Sequence, residues 1–139
     1  MIILDTNVLS EALRPSPSEK VLRWLAGQEP LAVYITTITV AEVLYGIEVL
    51  PAGKRRSRLA AAVDKIFAVE FAGRILPFDE DAARCFAAIV AGRGAAGRPI
   101  SQFDAMIAAI ARSRRAAVAT RNTGDFEGCG IRIGDPWAE

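Results

Sequence analysis

A chain of 139 residues, 52% of them hydrophobic, has the length of one ordinary domain and enough apolar material for a core covered on both sides. Seventeen Lys and Arg against 16 Asp and Glu leave a formal charge of +1, so a site for a polyanion or an anionic membrane must be a local patch. The absence of histidine excludes a histidine general base, a Ser-His-Asp triad and His-ligated zinc, leaving carboxylates, hydroxyls, lysine or a metal to carry catalysis.

Ile2-Ile3-Leu4 reads as a strand buried on both faces, as in the middle of a parallel sheet. It ends on Asp5, at the carboxyl edge where open α/β sheets place ligand chemistry, and Asp5-Thr6-Asn7 offers oxygens to a cation or to the turn that follows. Thr6 to Leu13 predicts a short helix stopped by Arg14-Pro15. Ser16-Pro17-Ser18-Glu19 predicts another, with Ser16 as N-cap and Glu19 closing a capping box, and with Val21, Leu22, Trp24 and Leu25 on its buried face. Leu31 to Thr36 is a second strand. Thr37 to Leu50 is a helix apolar on nearly every side, which makes it either central or the face for a partner. Pro51-Ala52-Gly53 breaks the chain before an amphipathic helix over 54–71.

Arg74 to Phe78 is a third strand, and Asp79 caps a helix that runs to about Ala91. Gly92 to Pro99 is expected as a loop; its Gly-x-Gly-x-x-Gly spelling follows a helix and so fails the context of a dinucleotide cradle. Ser101 to Arg114 is a buried alanine-rich helix, Ala116 to Thr120 a fourth strand and Ile131 to Ile133 a fifth. The alternation predicts a single α/β domain over 1–139, a three-layer α/β/α sandwich on a mostly parallel sheet of four to five strands. Cys85 and Cys129 form no paired motif and read as reduced thiols, and no run is long and apolar enough to span a bilayer, so a cytoplasmic protein is expected.

Beyond Asp5, the acids placed after apolar strands or at the start of buried helices are Glu42, Asp104 and, in Asn122-Thr123-Gly124-Asp125, the acid of a turn. Thr39 to Glu42 and Ser101 to Asp104 also fit the capping-box spacing, so a purely structural role for Glu42 and Asp104 stands beside the chemical one. As a set they would be anions on largely apolar helices. Crowded carboxylates of that kind need a cation, and oxygen donors without histidine or paired cysteine select a hard one, Mg²⁺ or Mn²⁺.

Ile3-Leu4-Asp5-Thr6-Asn7-Val8, Thr39-Val40-Ala41-Glu42, Phe103-Asp104-Ala105-Met106-Ile107-Ala108 and Ala119-Thr120-Arg121-Asn122-Thr123-Gly124-Asp125-Phe126 together resemble the PIN-domain ribonucleases of the VapC toxin family. Arg74 to Asp79 and Pro136-Trp137 look most like its FitB branch. The resemblance implies a metal-dependent endoribonuclease, the toxin of a type II toxin–antitoxin pair, working as a homodimer and held inactive by a small VapB- or FitA-like antitoxin. It assigns Asp5, Glu42 and Asp104 to catalysis. The FitB pattern has aspartate where this chain has Asn122, whereas other PIN toxins pair an asparagine there with an acid three residues on, so Asp125 becomes the fourth acid and Asn122 a neutral oxygen ligand. The metal set is then Asp5, Asp104, Asp125 and Asn122.

For RNA contacts we expect Thr6, Asn7, Thr120 and Arg121 beside the acids, with Arg112 and Arg115 from the basic cluster at 112–115; the run Lys54-Arg55-Arg56-Ser57-Arg58 reads as a solvated helix start. Two other functions fit fewer features. An aspartyl-phosphate transferase shares the opening strand and Asp5 but wants an acid where Asn7 stands. A PIN-like module that grips RNA or protein without cutting is kept open by Asn122. An anionic pocket of this kind also accepts an arginine or lysine from a partner peptide, with the apolar helix at 38–50 and the Val21 to Leu25 face as its groove.

Overall fold

The computed structural model describes residues 1–138. Five short parallel strands, β1 (Ile2–Leu4), β2 (Val33–Thr36), β3 (Ile75–Leu76), β4 (Ala117–Ala119) and β5 (Ile133–Gly134), form one sheet in the order β3-β2-β1-β4-β5. β1 lies in the middle, with Ile2 opposite Val33 of β2 on one side and Ala117 of β4 on the other. The chain winds outward from β1 through β2 to β3, then crosses back to lay β4 on the other flank. That reversal opens a crevice at the carboxyl ends of β1 and β4, where doubly wound sheets bind ligands.

Helices α1 (Thr6–Ala12), α2 (Glu19–Ala26), α3 (Thr37–Glu48), α4 (Lys54–Lys65), α5 (Glu80–Ala95), α6 (Gln102–Arg114) and the one-turn α7 (Thr123–Phe126) surround the sheet. Because side chains alternate across a strand, Ile3 faces a core built with Ile107, Ile110, Ile89 and Phe126, while Leu4 faces a second core with Val8, Val21 and Phe71. These are the two interfaces of the expected three-layer sandwich. α6 is central: Ala105 and Ile107 to Ala111 are wholly buried, their small side chains letting α5 pack closely beside it.

The structure departs from the sequence-based expectations at several ends. β2 starts at Val33 because Pro30-Leu31-Ala32 makes a 3₁₀ turn that leaves Leu31 78% exposed. The helix expected over 54–71 is regular only to Lys65; residues 66–70 widen into a π turn, closed by the N–H of Phe71 on the carbonyl of Ile66. α2 begins after Ser18, not Ser16, and the box with Glu19 does not form. Glu11 of α1 takes over, its buried carboxylate accepting the Ser18 N–H at 3.0 Å while Arg14 pairs with it. α5 runs through Gly92 and Gly94, so the expected loop is helical to Ala95. Each glycine costs about 1 kcal/mol in a helix interior, offset by the Ala82, Ile89, Arg93 stripe that stays buried to the last turn. α3 is not central: only Thr39 and Ile47 are buried, and Leu44, Tyr45 and Val49 lie on the surface.

Candidate active site

Asp5 follows β1 and caps α1. Its Oδ1 accepts the Thr6 N–H at 2.8 Å, and its Oδ2 accepts the Thr120 hydroxyl at 2.8 Å from the end of β4. Thr120 Oγ1 is the hub of the crevice. Having donated its one proton to Asp5, it accepts from the Asn122 N–H at 3.1 Å and the Asn7 side-chain amide at 3.3 Å. The carbonyl end of the same amide accepts the Arg121 N–H at 3.3 Å. Thr6, Asn7, Thr120 and Arg121, named from the sequence as RNA contacts, therefore converge around one carboxylate. The guanidinium of Arg121 rests over the Trp137 ring, 5.1 Å from its centroid.

Glu42 is not a helix cap. The N-cap of α3 is Thr36, whose hydroxyl accepts the Thr39 N–H at 3.2 Å, and this places Glu42 in the second turn with its side chain free to reach α1. Its Oε1 accepts the Thr6 hydroxyl at 2.8 Å. A carboxylate can only accept, so the 2.9 Å contact between the Thr6 and Thr39 hydroxyls is donated by Thr39, completing a relay that fixes Glu42. Asp104 combines both readings. Its N–H is capped by Ser101 Oγ at 3.2 Å, and the charge of its carboxylate acts on Asp5.

Electrostatics register this convergence. Burial pushes the Asp5 carboxyl from 3.8 up to about 6 against the lowering effect of its Thr120 and Thr6 hydrogen bonds, and the charges of Asp104 and Glu42 push it further. Asp104 is also raised, by burial first, with the Asp125 charge adding to it and Ser101 and Arg93 opposing. The charges of Glu42 and Asp104 are thus felt at Asp5, and that of Asp125 at Asp104.

Asp125 and Asn122 belong to α7, which is held by two features that the sequence did not mark as functional. Phe126 is fully buried. Arg93, only 7% exposed, has no carboxylate partner among the described residues and instead donates to three main-chain carbonyls: Arg98 at 2.6 Å, Asp125 at 3.0 Å and Glu127 at 2.6 Å. The helical spacing of Ala82, Phe86, Ile89 and Arg93 was the available signal, obscured by the glycines around Arg93.

The structure moves Arg112 and Arg115 away from the acids. They follow Asp104 by eight and eleven residues along α6, a rise of about 12 and 16 Å. Arg112 lies against Gly130, where an added Cβ would sit 3.4 Å from its Nε. Arg115 ends α6 in the left-handed conformation, φ 55°, and passes the chain to the amino end of β4, the edge opposite the crevice. Arg14 and Arg55 line a cleft that Glu42 and Thr6 also line. Cys85 and Cys129 are free thiols, as expected, and burial pushes the Cys129 thiol up.

The donor set suits a hard divalent cation, being carboxylate, hydroxyl and amide oxygens around a buried acid whose anionic form is disfavoured. Among the described residues no three Asp, Glu, Cys or His side chains come close enough to wrap one ion by themselves. An ion held by Asp5, Asp104, Asp125 and Asn122 would therefore reach some of them through its own waters, several of which Mg²⁺ keeps.

Residues 2–128 match the PIN domain family. The chain belongs to that family. Along nearly its whole length this PIN domain is similar to the VapC ribonuclease Y4jK of Sinorhizobium fredii, 42% identical over 99% of this chain and 98% of that protein. It is likewise similar to toxin FitB of Neisseria gonorrhoeae, 42% identical over 99% of each. Among solved structures it superposes on FitAcB of Neisseria gonorrhoeae with a TM-score of 0.95, at 42% identity and 100% coverage of both chains. A member of the VapBC family of toxin–antitoxin systems from Mycobacterium tuberculosis shares the fold at a TM-score of 0.66, with 26% identity over 96% of each chain. In this PIN domain the surroundings distinguish Asn122 from Asp125: the N–H of Asn122 is tied to Thr120, whereas the charge of Asp125 is felt by Asp104. Among the described residues, no helix is long and apolar enough to cross a membrane.

Proposed function

We propose that this PIN domain is an endoribonuclease, the toxin of a toxin–antitoxin pair, which hydrolyses RNA phosphodiester bonds with Mg²⁺ or Mn²⁺ held by Asp5, Asp104 and Asp125 and by the Asn122 amide. Glu42 completes the acid set. One observation carries this reading: Asp5 is 5% exposed at the β1–β4 crevice and lies in the field of Glu42 and Asp104. Anions so arranged oppose one another until a cation joins them.

A divalent ion bound there supplies positive charge against the phosphate and acidifies a water for in-line attack. The protein's own groups orient the reaction. Thr120 and the Thr6 N–H lock both oxygens of Asp5, the Thr6 hydroxyl locks Glu42, and Arg121 at the mouth offers its charge to the incoming phosphate. With water as nucleophile the ribose 2′-OH takes no part, so the products carry a 5′-phosphate and a 3′-hydroxyl. RNA as substrate is supported by the ribonuclease name of the Sinorhizobium relative, and an antitoxin partner by the toxin–antitoxin assemblies that share the fold. In this reading a basic side chain of the antitoxin answers the acidic crevice. The exposed Leu44 and Tyr45 of α3 and Val49 just after it, with Phe103, supply an apolar contact surface for a second copy.

The test is incubation of partner-free protein with total RNA, with Mg²⁺ and with EDTA, followed by end mapping. Cleavage that needs the ion and disappears in Asp5→Asn and Asp104→Asn, both still folded by circular dichroism, is the expected result. Cleavage that persists in EDTA refutes the mechanism.

A further inference from the structure

The run Gly92-Arg93-Gly94-Ala95-Ala96-Gly97-Arg98, which fails as a dinucleotide cradle, is a helix stop. Gly97, at φ 72°, takes the left-handed turn that glycine permits. The N–H groups of Gly97 and Arg98 then fold back onto the carbonyls of Gly94 at 3.1 Å and Arg93 at 2.9 Å. This turn aims two arginines at α7. Arg93 Nε donates to the Arg98 carbonyl at 2.6 Å, which fixes the guanidinium, and Nη1 donates to the carbonyls of Asp125 at 3.0 Å and Glu127 at 2.6 Å. Arg98 Nη2 adds the carbonyl of Gly124 at 3.3 Å and the carboxylate of Glu127 at 3.2 Å.

A basic residue in the last turn of a helix ordinarily serves that helix's own free carbonyls and its dipole. None of the three Arg93 bonds does so: all end beyond α5, two of them on Asp125 and Glu127. With four residues, α7 is too short to hold as a helix unaided, so its place is set by what grips it from outside, the wholly buried Phe126 and the two arginines. We infer that Arg93 is a positioning residue for the divalent ion: by fixing the main chain of α7 it sets the Asp125 carboxylate, and with it the ion affinity of the crevice, without touching ion or substrate. The inference rests on the ion-binding reading of the crevice. Charge and position act in opposite directions here, which makes the role separable. The positive charge of Arg93 is felt at Asp104, and a fixed cation beside the acids repels a second one. As a bare charge Arg93 would weaken ion binding; as a clamp it strengthens it.

The experiment titrates Mn²⁺ into the RNA-free protein, followed by the electron paramagnetic resonance of the free ion, at a temperature where circular dichroism shows each variant folded. Arg93→Met removes charge and clamp together and should weaken Mn²⁺ binding on the order of tenfold, the low end for partners that orient metal ligands. Arg93→Lys keeps the charge without the planar fork that spans three carbonyls, and should lose affinity too. Val21→Ala opens a cavity in the second core, away from α7, and should lower the Tm with Mn²⁺ affinity unchanged. With RNA present, Arg93→Met should need on the order of tenfold more Mn²⁺ for half-maximal cleavage, at an unchanged KM for RNA. Mn²⁺ bound by either Arg93 variant as tightly as by the unaltered protein, or more tightly, overturns the inference. So does a loss in Val21→Ala equal to that in Arg93→Met, which traces the effect to stability alone. If Arg93→Met does not fold, the exposed Arg98→Ala decides: weaker binding at an unchanged Tm supports the clamp, and unchanged or tighter binding overturns it. In every case Mn²⁺ uptake by the unaltered protein leaves the ion site standing; no uptake removes both.

Discussion

Replacing Asp5 with asparagine should make the ion-free protein more stable at neutral pH while abolishing its chemistry. Folding carries the Asp5 carboxyl from 3.8 to about 6, which at pH 7 corresponds to about 3 kcal/mol of destabilisation relative to a group left unshifted. The sign follows from proton counting: between those values the folded protein keeps a proton that the unfolded chain has lost, so stability falls as pH rises through the window and levels off above about 6. Asparagine carries no charge to disfavour, but its single carbonyl can serve well only one of the two donors on Asp5, the Thr6 N–H and the Thr120 hydroxyl, at a cost of about 1 kcal/mol. The net gain is about 2 kcal/mol, or a Tm higher by roughly 6 to 10 °C for a domain of this size. Thermal unfolding of the two proteins in EDTA between pH 4 and 7 reads it directly. The curves should converge near pH 4 and separate as pH rises; parallel curves across the window would show that Asp5 does not bear the shift, and the electrostatic case for a cation there would fail with it.

Adding Mg²⁺ should reverse that ranking, because an ion that binds only the folded state stabilises it by about 2.7 kcal/mol at a hundredfold excess over Kd; the Tm of the unaltered protein should rise and that of Asp5→Asn should not. Thr6→Val removes the hydroxyl that holds Glu42 Oε1, and loss of a hydrogen bond to a charged group, about 1.5 to 3 kcal/mol, should lower the cleavage rate about tenfold or more with little change in KM. Arg93→Ala leaves the carbonyls of Arg98, Asp125 and Glu127 without their donor and should cost about 3 kcal/mol or more in urea unfolding. Hydrogen exchange should then show α7 loosened before the rest of the domain, and protection of α7 equal to that in the unaltered protein would refute the clamp.

The features legible in the sequence were those set by local chemistry. Three apolar residues ending on Asp5 named both the central strand and the head of the crevice, and Asp79 and Ser101 cap α5 and α6 as their spacing requires, at 3.0 and 3.2 Å from the N–H groups they serve. What could not be read locally depends on partners brought in by folding. Ser18 starts α2 because Glu11 is there to take its N–H, and Glu42 left its capping spacing because Thr36 claimed the cap and Thr6 was across the gap. The arginines show the same limit. Charge density in sequence favoured 112–115, but the helical rise of α6 carries those residues away from its acidic start, while Arg93, isolated among glycines, and Arg55, embedded in a run read as solvent-facing, are the ones that folding sets beside the acids.

Thr120 and Asp5 share a hydrogen bond although 115 residues separate them. During translation the amino-terminal half of the crevice emerges long before its counterpart, so a nascent chain that has not yet delivered β4 holds its acids without the hydroxyl that orients them. In the proposed function, that ordering withholds a finished crevice until β4 has joined the sheet. Fragments stopped short of β4 are accordingly expected to be harmless when expressed, and growth arrest by such a fragment would contradict it.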